Sequence, residues 1–166
     1  MRSTGEVLGL ADNYGIAFYK SQEAAGSKLP DSGAVLFSLA EKKEADAEAA
    51  HHFQSLGFKV YATRGTAAFF RENGVEAEEV AKISEGRPNV LDLIVNKQVS
   101  IIVNTPSHHR DAREDGAAIR KAALKYKVPY ITTRAAAHAA VLGIAAARRN
   151  RGGVTSLQDY HASIVR

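Results

Sequence analysis

The chain of 166 residues contains no cysteine, and this excludes several classes of protein at once. A disulfide framework, a cysteine zinc site, an iron–sulfur cluster and a thiol nucleophile all require that residue. Long apolar runs are lacking too, because the stretch at 99–103 is far shorter than the roughly 20 residues of a membrane span. The first residues lead into no apolar segment, so no signal peptide is expected. These features are compatible with a cytoplasmic protein that has no membrane partner.

A large excess of charge of one sign is also lacking. The sequence has 22 Lys and Arg against 18 Asp and Glu, which gives a net charge of +4. Proteins that bind nucleic acids gather their basic residues into a stripe with exposed aromatic residues. The one dense basic run here, residues 148–151, ends an alanine-rich helix, where positive charge is favourable. We therefore expect no nucleic-acid partner, and a small anionic ligand fits the modest charge better.

The composition that is present is that of an ordinary globular protein. Hydrophobic residues make up 45% and charged residues 24% of the sequence. A protein of this length buries about two-thirds of the surface that its unfolded state exposes. A helix is predicted over residues 13–25, and the stretch that follows is rich in Gly, Pro and Ser, which is typical of a linker. Residues 1–32 are interpreted as a leader and linker, and residues 33–166 as one domain.

From residue 34 onward, strand and helix patterns alternate. Short apolar runs predict strands at 34–39, 59–62, 75–80, 99–103 and 128–132. Helices are predicted at 44–56, 66–73, 91–96, 116–127 and 135–149, and most of these segments contain several alanines. The pattern predicts an α/β fold, a three-layer sandwich with a five-stranded, mostly parallel sheet flanked by helices. Ligands of such folds bind at the carboxyl ends of the strands. Four polar turns are expected there, at 41–44, 63–66, 104–110 and 132–134.

The turn between the second predicted strand and its helix carries the sharpest local motif. Thr63 and Thr66 lie three residues apart around Gly65, whose missing side chain lets a ligand approach the backbone. The free N–H groups of the helix N-terminus then form an anion site that suits a phosphate monoester. The alternative is that one of the threonines merely caps the helix. The spacing alone leaves both interpretations open, and no P-loop lysine follows.

Other polar residues are predicted to lie at the same end of the sheet. Lys42, Lys43 and Lys82 are candidates to neutralise a phosphate, although a lone lysine is more often a solvated charge. Asn104 and Thr105 follow the strongest predicted strand, where they either bind a base or ribose or shape the turn.

Metal and acid–base sites are not expected. His51 and His52 are adjacent on a helix and point about 100° apart, which disfavours a shared ion. The pair His108–His109 has no third ligand at a suitable spacing. Three nearby carboxylates are conceivable for acid–base work, but they fit better as acids at a helix start: Asp111, Glu114 and Asp115.

Several motifs in a fixed order carry a family resemblance over essentially the whole sequence. They are residues 35–38 (VLFS), 61–67 (YATRGTA), 82–88 (KISEGRP), 102–105 (IVNT), 119–130 (IRKAALKYKVPY) and 132–133 (TT). Together they resemble the C-terminal allosteric domain of the carbamoyl-phosphate synthase large subunit, which has the methylglyoxal-synthase-like fold. Residues 1–9 look like the segment that ends the second ATP-grasp unit of that subunit.

The resemblance implies that the sequence is the C-terminal piece of a larger enzyme. That enzyme makes carbamoyl phosphate from glutamine, bicarbonate and ATP, with Mg or Mn, for pyrimidine and arginine synthesis. The piece itself would hold no cofactor and perform no catalysis. It would bind effectors, with UMP as inhibitor and IMP and ornithine as activators. Its protein partners would be the rest of the large subunit and the small glutaminase subunit.

The family's effector residues map onto this sequence by the resemblance. Thr63, Thr66 and Lys82 match positions that hold the nucleotide phosphate, and Lys42 or Lys43 matches a further lysine. Asn104 and Thr105 match positions near the ribose and base. Thr132 and Thr133 match a pair toward the ornithine-responsive interface. Pro106 is a departure, because bacterial members often carry a second threonine there.

Two other functions remain as alternatives. One is methylglyoxal synthase itself, a lyase that acts on dihydroxyacetone phosphate and shares the phosphate turn. Its catalysis depends on two aspartates, and this sequence has residues 85–89 (EGRPN) and Asn104–Thr105 at those places. The other is an interaction module that binds no small molecule, because the isolated piece would need the rest of its subunit.

Overall fold

The computed structural model describes residues 6–106, 110–149 and 153–164, with the side chains of all but 110–112. The strands are β1 (Ala34–Ser38), β2 (Lys59–Thr63), β3 (Glu78–Val80), β4 (Ile101–Asn104) and β5 (Tyr130–Ile131). The helices are α1 (Tyr14–Ala24), α2 (Glu44–Ser55), α3 (Arg64–Glu72), α4 (Val90–Val95), α5 (Arg110–Tyr126), α6 (Arg134–Arg149) and α7 (Leu157–Ser163). A short 3-10 turn spans Ile83–Glu85.

The strands form one sheet in the order β3-β2-β1-β4-β5, and every neighbouring pair is parallel. The central strand β1 places Leu36 opposite both Tyr61 of β2 and Ile102 of β4. Since a parallel sheet is covered by helices on both faces, β1 is apolar and buried along its length up to Phe37. The structure confirms the predicted three-layer α/β fold with five strands, and the sheet is parallel throughout.

Alternating residues of β1 enter two separate cores. Phe37 packs with Phe53 of α2 and Phe70 of α3, its ring centroid lying 6.0 Å and 5.1 Å from theirs in edge-on contacts. Leu36 points to the other face, where it joins Ile94 of α4 and Ile119 of α5. Edge-on aromatic pairs add to the free energy gained from area burial. Both layers are therefore anchored on the strand at the centre of the sheet.

Three strands, β3, β4 and β5, begin two or three residues later than predicted, and for β3 and β5 the reason is the same. Val75 donates its N–H to Phe70 O, and Val128 donates to Ala123 O, in bonds that close the ends of α3 and α5. The preceding residues Gly74 and Lys127 have φ of 74° and 56°, the left-handed conformation that ends helices. These residues belong to helix C-caps, so β3 begins at Glu78 and β5 at Tyr130. Helix α7 was not predicted.

Helix α1 packs against α6 through two glycines. A Cβ on Gly15 would lie 2.9 Å from Leu142 O, and one on Gly143 would lie 3.0 Å from Gly15 O. This close approach buries Tyr19 and Ile16 in the core shared by α2, α3 and α6. The leader assigned to residues 1–32 thus contributes side chains to the same core as the rest of the protein. Its origin in a preceding unit stays a prediction.

Candidate functional site

The all-parallel sheet brings the predicted polar turns to one end of the molecule. Ser38, Thr63 and Asn104 are the last residues of β1, β2 and β4, which lie side by side. Lys82 follows β3 by two residues, and Thr132 directly follows β5. We call this region the carboxyl end of the sheet. In sheets of this kind it is where ligands bind.

The two threonines of the sharpest motif form a buried pair. Their Oγ1 atoms lie 3.4 Å apart, and only 4% of Thr63 and 1% of Thr66 is exposed. Thr66 Oγ1 accepts the N–H of Leu39 at 3.1 Å, which ties the end of β1 to α3. Thr63 occupies the N-cap position of α3, yet its side chain makes no capping hydrogen bond. The interpretation that the Thr63 side chain caps α3 is therefore wrong.

Lys42 is the lysine that reaches the N-terminus of α3. A Cβ placed on Gly65 would lie 3.6 Å from Lys42 Nζ, so the ammonium stands directly beside that glycine. Lys43 instead occupies the N-cap of α2, where its N–H donates to Asp46 Oδ2 at 2.8 Å. The sequence could not choose between these two lysines, and their geometry distinguishes them. Of the two lysines, Lys42 is the one whose ammonium lies beside the N-terminus of α3.

Lys82 lines a small cavity between the Thr63–Thr66 turn and α5. The cavity has a volume of about 30 Å³, and its wall is formed by Ser38, Thr63, Lys82, Val90, Asn104, Asp115, Gly116 and Ile119. Asp115 was interpreted from sequence as an acid at a helix start. Asp115 lies in the second turn of α5, near the start of that helix, and it also lines the cavity, where its Oδ2 is 3.4 Å from Ser84 Oγ. The sequence did not predict that Asp115 and Asn104 line the same cavity, because their proximity depends on how α5 packs against the sheet.

Asn104 and Thr105 both hold the end of β4 to its neighbours. Asn104 Nδ2 donates to the hydroxyl of Tyr130 at 2.6 Å. Thr105 Oγ1 accepts the N–H of Ala40 at 3.0 Å, and the N–H of Thr105 donates to Ser38 O at 3.1 Å. Both residues shape the turn while keeping polar atoms at the carboxyl end.

Thr132 and Thr133 lie to one side of the threonine pair. Thr133 Oγ1 accepts the N–H of Ala136 at 3.2 Å, so it caps α6. Thr132 is exposed and lines a surface cleft of about 420 Å³ together with Pro106 and Arg120. Asn104 lines both this cleft and the small cavity, which makes the two spaces neighbours.

A larger cleft, of about 880 Å³, opens at the opposite end of β2 and β3. Its wall includes Lys59 and Glu78, whose charged groups are paired with each other at 2.5 Å. None of the residues predicted to bind an effector lies on it. Size alone therefore does not identify the candidate site.

Within 6–106, 110–149 and 153–164, no three His, Asp or Glu residues cluster as metal ligands would. No helix in those ranges combines the length and apolar character needed to cross a membrane. His108 and His109 lie outside the described residues, and the side chain of Asp111 is not described.

Comparison with known proteins adds an independent line of evidence. A family model for the MGS-like domain matches residues 47–132. The C-terminal section of the carbamoyl phosphate synthase large chain of Methanopyrus kandleri is 48% identical over 162 residues, which cover 97% of this sequence and 30% of that protein. The large chain of Archaeoglobus fulgidus is 48% identical over 97% of this sequence and 15% of that protein. The corresponding C-terminal section of Aquifex aeolicus is 43% identical over 97% of this sequence and 31% of that protein.

The protein described here thus spans less than a third of the length of each of these relatives. The segment matched by the family model runs from α2 to the residue after β5 and includes the threonine pair, Lys82 and Asn104. The chain belongs to the MGS-like domain family, and nearly all of it is similar to the C-terminal part of the large subunits of carbamoyl phosphate synthases.

Proposed function

We propose that this chain is the regulatory domain of the large subunit of a glutamine-dependent carbamoyl-phosphate synthase and binds a nucleoside monophosphate. UMP is the inhibitor and IMP the activator in this proposal, and the parent enzyme is a cytoplasmic ligase of pyrimidine and arginine synthesis. The rest of the large subunit and the small glutaminase subunit are its partners. The observation that carries the proposal is the position of Lys42 Nζ beside Gly65, at the start of α3.

The start of α3 has the components of a phosphate site. The first N–H groups of a helix have no partner within it, and the helix dipole favours an anion there. Gly65 is exposed and has no side chain to keep a phosphate from this backbone. The Lys42 ammonium supplies a positive charge that neutralises the ligand. The buried Thr63–Thr66 pair fixes the turn beneath the phosphate.

The nucleoside would extend from the phosphate toward α5. Lys82, Asn104 and Asp115 line the cavity on that side, so an ammonium, an amide and a carboxylate face the same space. A carboxylate accepts hydrogen bonds from a ribose hydroxyl, which phosphate alone lacks. In its present form the cavity holds about one water molecule. Binding of a nucleoside in this cavity would therefore require α5 to move away from the ends of β1, β2 and β4.

Regulation requires that the effector bind differently to the low-activity and high-activity states of the synthase. Coupling of this kind is typically ~1–3 kcal/mol, so small shifts at an interface between domains are sufficient. Thr132 and Thr133 would face such an interface and transmit the response to ornithine. Thr133 caps α6, which connects that surface to a long helix of the core.

Calorimetric titration of the protein with UMP, followed by displacement with IMP, tests the proposal. We expect saturable binding of UMP that IMP competes away, and no binding of uridine, because uridine lacks the phosphate. The variant Lys42→Ala should weaken UMP binding roughly tenfold, as a hydrogen bond to a charged group is lost. Lys28→Ala removes a lysine in another region and should leave binding unchanged. Absence of binding by either nucleotide to the folded protein would contradict the proposal.

A further inference from the structure

An arginine that no sequence motif singled out reaches the loop that carries Lys42. Arg134 is the first residue of α6, and its Nη2 donates to Glu41 O at 2.7 Å. Its Nε donates to Asp46 Oδ2 at 2.8 Å. Glu41 precedes Lys42 directly, and Asp46 lies in the first turn of α2. One guanidinium therefore spans the loop that joins β1 to α2.

The same carboxylate also holds the other side of Lys42. Asp46 Oδ2 accepts the N–H of Lys43 at 2.8 Å as well as the bond from Arg134. Asp46 is 3% exposed and the Arg134 side chain 29% exposed, so this ion pair is largely removed from water. Both neighbours of Lys42 are thus fixed by a single network. The flexible lysine has its backbone held on each side while its ammonium lies beside Gly65.

We propose that Arg134 is a positioning residue for the anion site, acting through the loop 40–43 to aim Lys42 at the start of α3. This inference rests on the proposed function, because it assigns a role within the same phosphate-binding site. Arg134 does not touch the phosphate in this mechanism. It lowers the entropy that the loop loses on binding, since a loop held in its bound conformation has less freedom left to lose.

A purely structural role for the ion pair predicts a different outcome. If Arg134 only stabilised the fold, its removal would lower the stability of the protein and leave the affinity of the folded molecules unchanged. If it acts through Lys42, its effect on affinity must depend on whether Lys42 is present. Two residues that act through one another give non-additive changes, which a double-mutant cycle measures.

The test is calorimetric titration with UMP of four forms of the protein: wild type, Lys42→Ala, Arg134→Ala and the double variant. We expect Arg134→Ala to weaken UMP binding roughly three- to tenfold in the wild-type background. In the Lys42→Ala background the same change should alter affinity by less than about twofold. Amide hydrogen exchange should report lost protection at Lys43, whose N–H bond to Asp46 is no longer supported.

Two further variants keep the test decisive. Arg134→Ala leaves Asp46 buried without its partner, which also destabilises the fold, whereas Arg134→Lys keeps the charge but cannot span both acceptors with a fork of donors. The lysine variant should fold and bind UMP roughly two- to threefold more weakly. Arg148→Ala is the matched control, because that arginine, on the last turn of α6, donates to the carbonyls of Asp31 and Leu56. It should leave UMP affinity unchanged.

The outcomes separate this inference from the proposed function. If the wild type binds UMP and the folded Arg134 variants bind it equally tightly, the positioning role is overturned and the proposed function stays intact. Equal weakening by Arg134→Ala with and without Lys42 would also overturn it, because the effect would not pass through that lysine. Failure of the wild-type protein to bind either nucleotide would overturn the proposed function and the positioning role with it.

Discussion

At the carboxyl end of the sheet one ion pair joins two largely buried side chains, whereas the ion pair and the arginine contacts described at the amino end involve exposed side chains. Asp46 and Arg134 exemplify the first kind, with the carboxylate 3% exposed. Arg148 exemplifies the second: it donates to Asp31 O and Leu56 O while its guanidinium lies 5.6 Å from the ring centroid of Phe58. Both arginines belong to α6, one at each end.

The difference shows how one helix serves two purposes. Contacts at the amino end hold the ends of α2 and α6 near the start of the sheet, and they contribute only to the stability of the fold. Contacts at the carboxyl end hold a loop in one conformation, because Asp46 accepts from both Lys43 and Arg134. Changes at the carboxyl end should therefore affect binding and stability together, and changes at the amino end stability alone.

The largest effect is expected for Asp46→Ala at the carboxyl end. It removes a buried carboxylate and leaves Arg134 partly buried without its partner, which should lower the free energy of unfolding by about 2–3 kcal/mol. UMP affinity should fall as well, because Lys43 loses its acceptor. Urea denaturation and calorimetry measure the two effects. Glu48→Ala, at an exposed position of the same helix, is the control. A loss of stability like that of Glu48→Ala would contradict the distinction between the two ends.

Arg148→Ala should have a smaller effect, confined to stability. The side chain is exposed and water replaces part of what it loses, so we expect the free energy of unfolding to fall by about 1 kcal/mol. Arg149→Ala removes the neighbouring exposed arginine and should change stability by less than about 0.5 kcal/mol. UMP affinity should stay the same in both variants. A clear change in affinity for Arg148→Ala would mean that the amino end also influences the site.

Gly65→Ala should weaken UMP binding without lowering the stability of the protein, which is the opposite of the effect expected for Arg148→Ala. The added Cβ has room, since its nearest neighbour would be the flexible end of Lys42 at 3.6 Å. Replacing glycine by alanine in a helix stabilises it by up to about 1 kcal/mol. The methyl group nevertheless covers the backbone that a phosphate would approach, so UMP binding should weaken while stability is kept or gained. Ala68→Gly, at an exposed position of α3, is the inverse control: it should lower stability and leave affinity unchanged.

Local patterns in the sequence predicted the five strands and the polar turns at 41–44, 63–66 and 132–134, because strand periodicity and turn residues act over short distances. The turn predicted at 104–110 includes residues 107–109, which lie outside the described residues. The candidate anion site at Gly65 was also inferred from residue spacing, and the binding of an anion there stays a prediction. The pair formed by Asp46 and Arg134 could not be predicted, since 88 residues separate its members and neither lies in a motif. Asp115 was missed for a related reason, because only the packing of α5 turns it toward Asn104.

The late starts of β3 and β5 illustrate a different limit. Gly74 followed by an apolar residue is a sequence pattern for a helix C-cap. The late start of β3 could therefore have been predicted from the sequence. Lys127 adopts the same left-handed conformation without being glycine. No residue preference marks that position, and the short β5 could be found only from the structure.

The smallest expected effects are pH-dependent and again differ between the two ends. At the carboxyl end, the Arg87 guanidinium and then the N–H of Asn89 hold the pKa of Asp92 below its ordinary value of 3.8. At the amino end, the carboxylate of Glu78 and then the Tyr61 side chain raise the pKa of Lys59 to about 12. Both pairs lie at the surface, so each contributes little and is weakened by salt.

The signs of the two contributions are opposite. The folded-state pKa of Asp92 is lowered, so its contribution to stability is complete above the unfolded pKa of 3.8 and is lost as the pH falls through the folded value. The folded-state pKa of Lys59 is raised, so its contribution is complete below 10.5 and is lost as the pH rises through about 12. The stability difference between wild type and Asp92→Asn should therefore vanish in acid and persist in base. The difference for Lys59→Met should persist in acid and vanish in base, and urea denaturation across pH measures both. Identical pH profiles for the two variants would show that these surface pairs do not distinguish the two ends of the sheet.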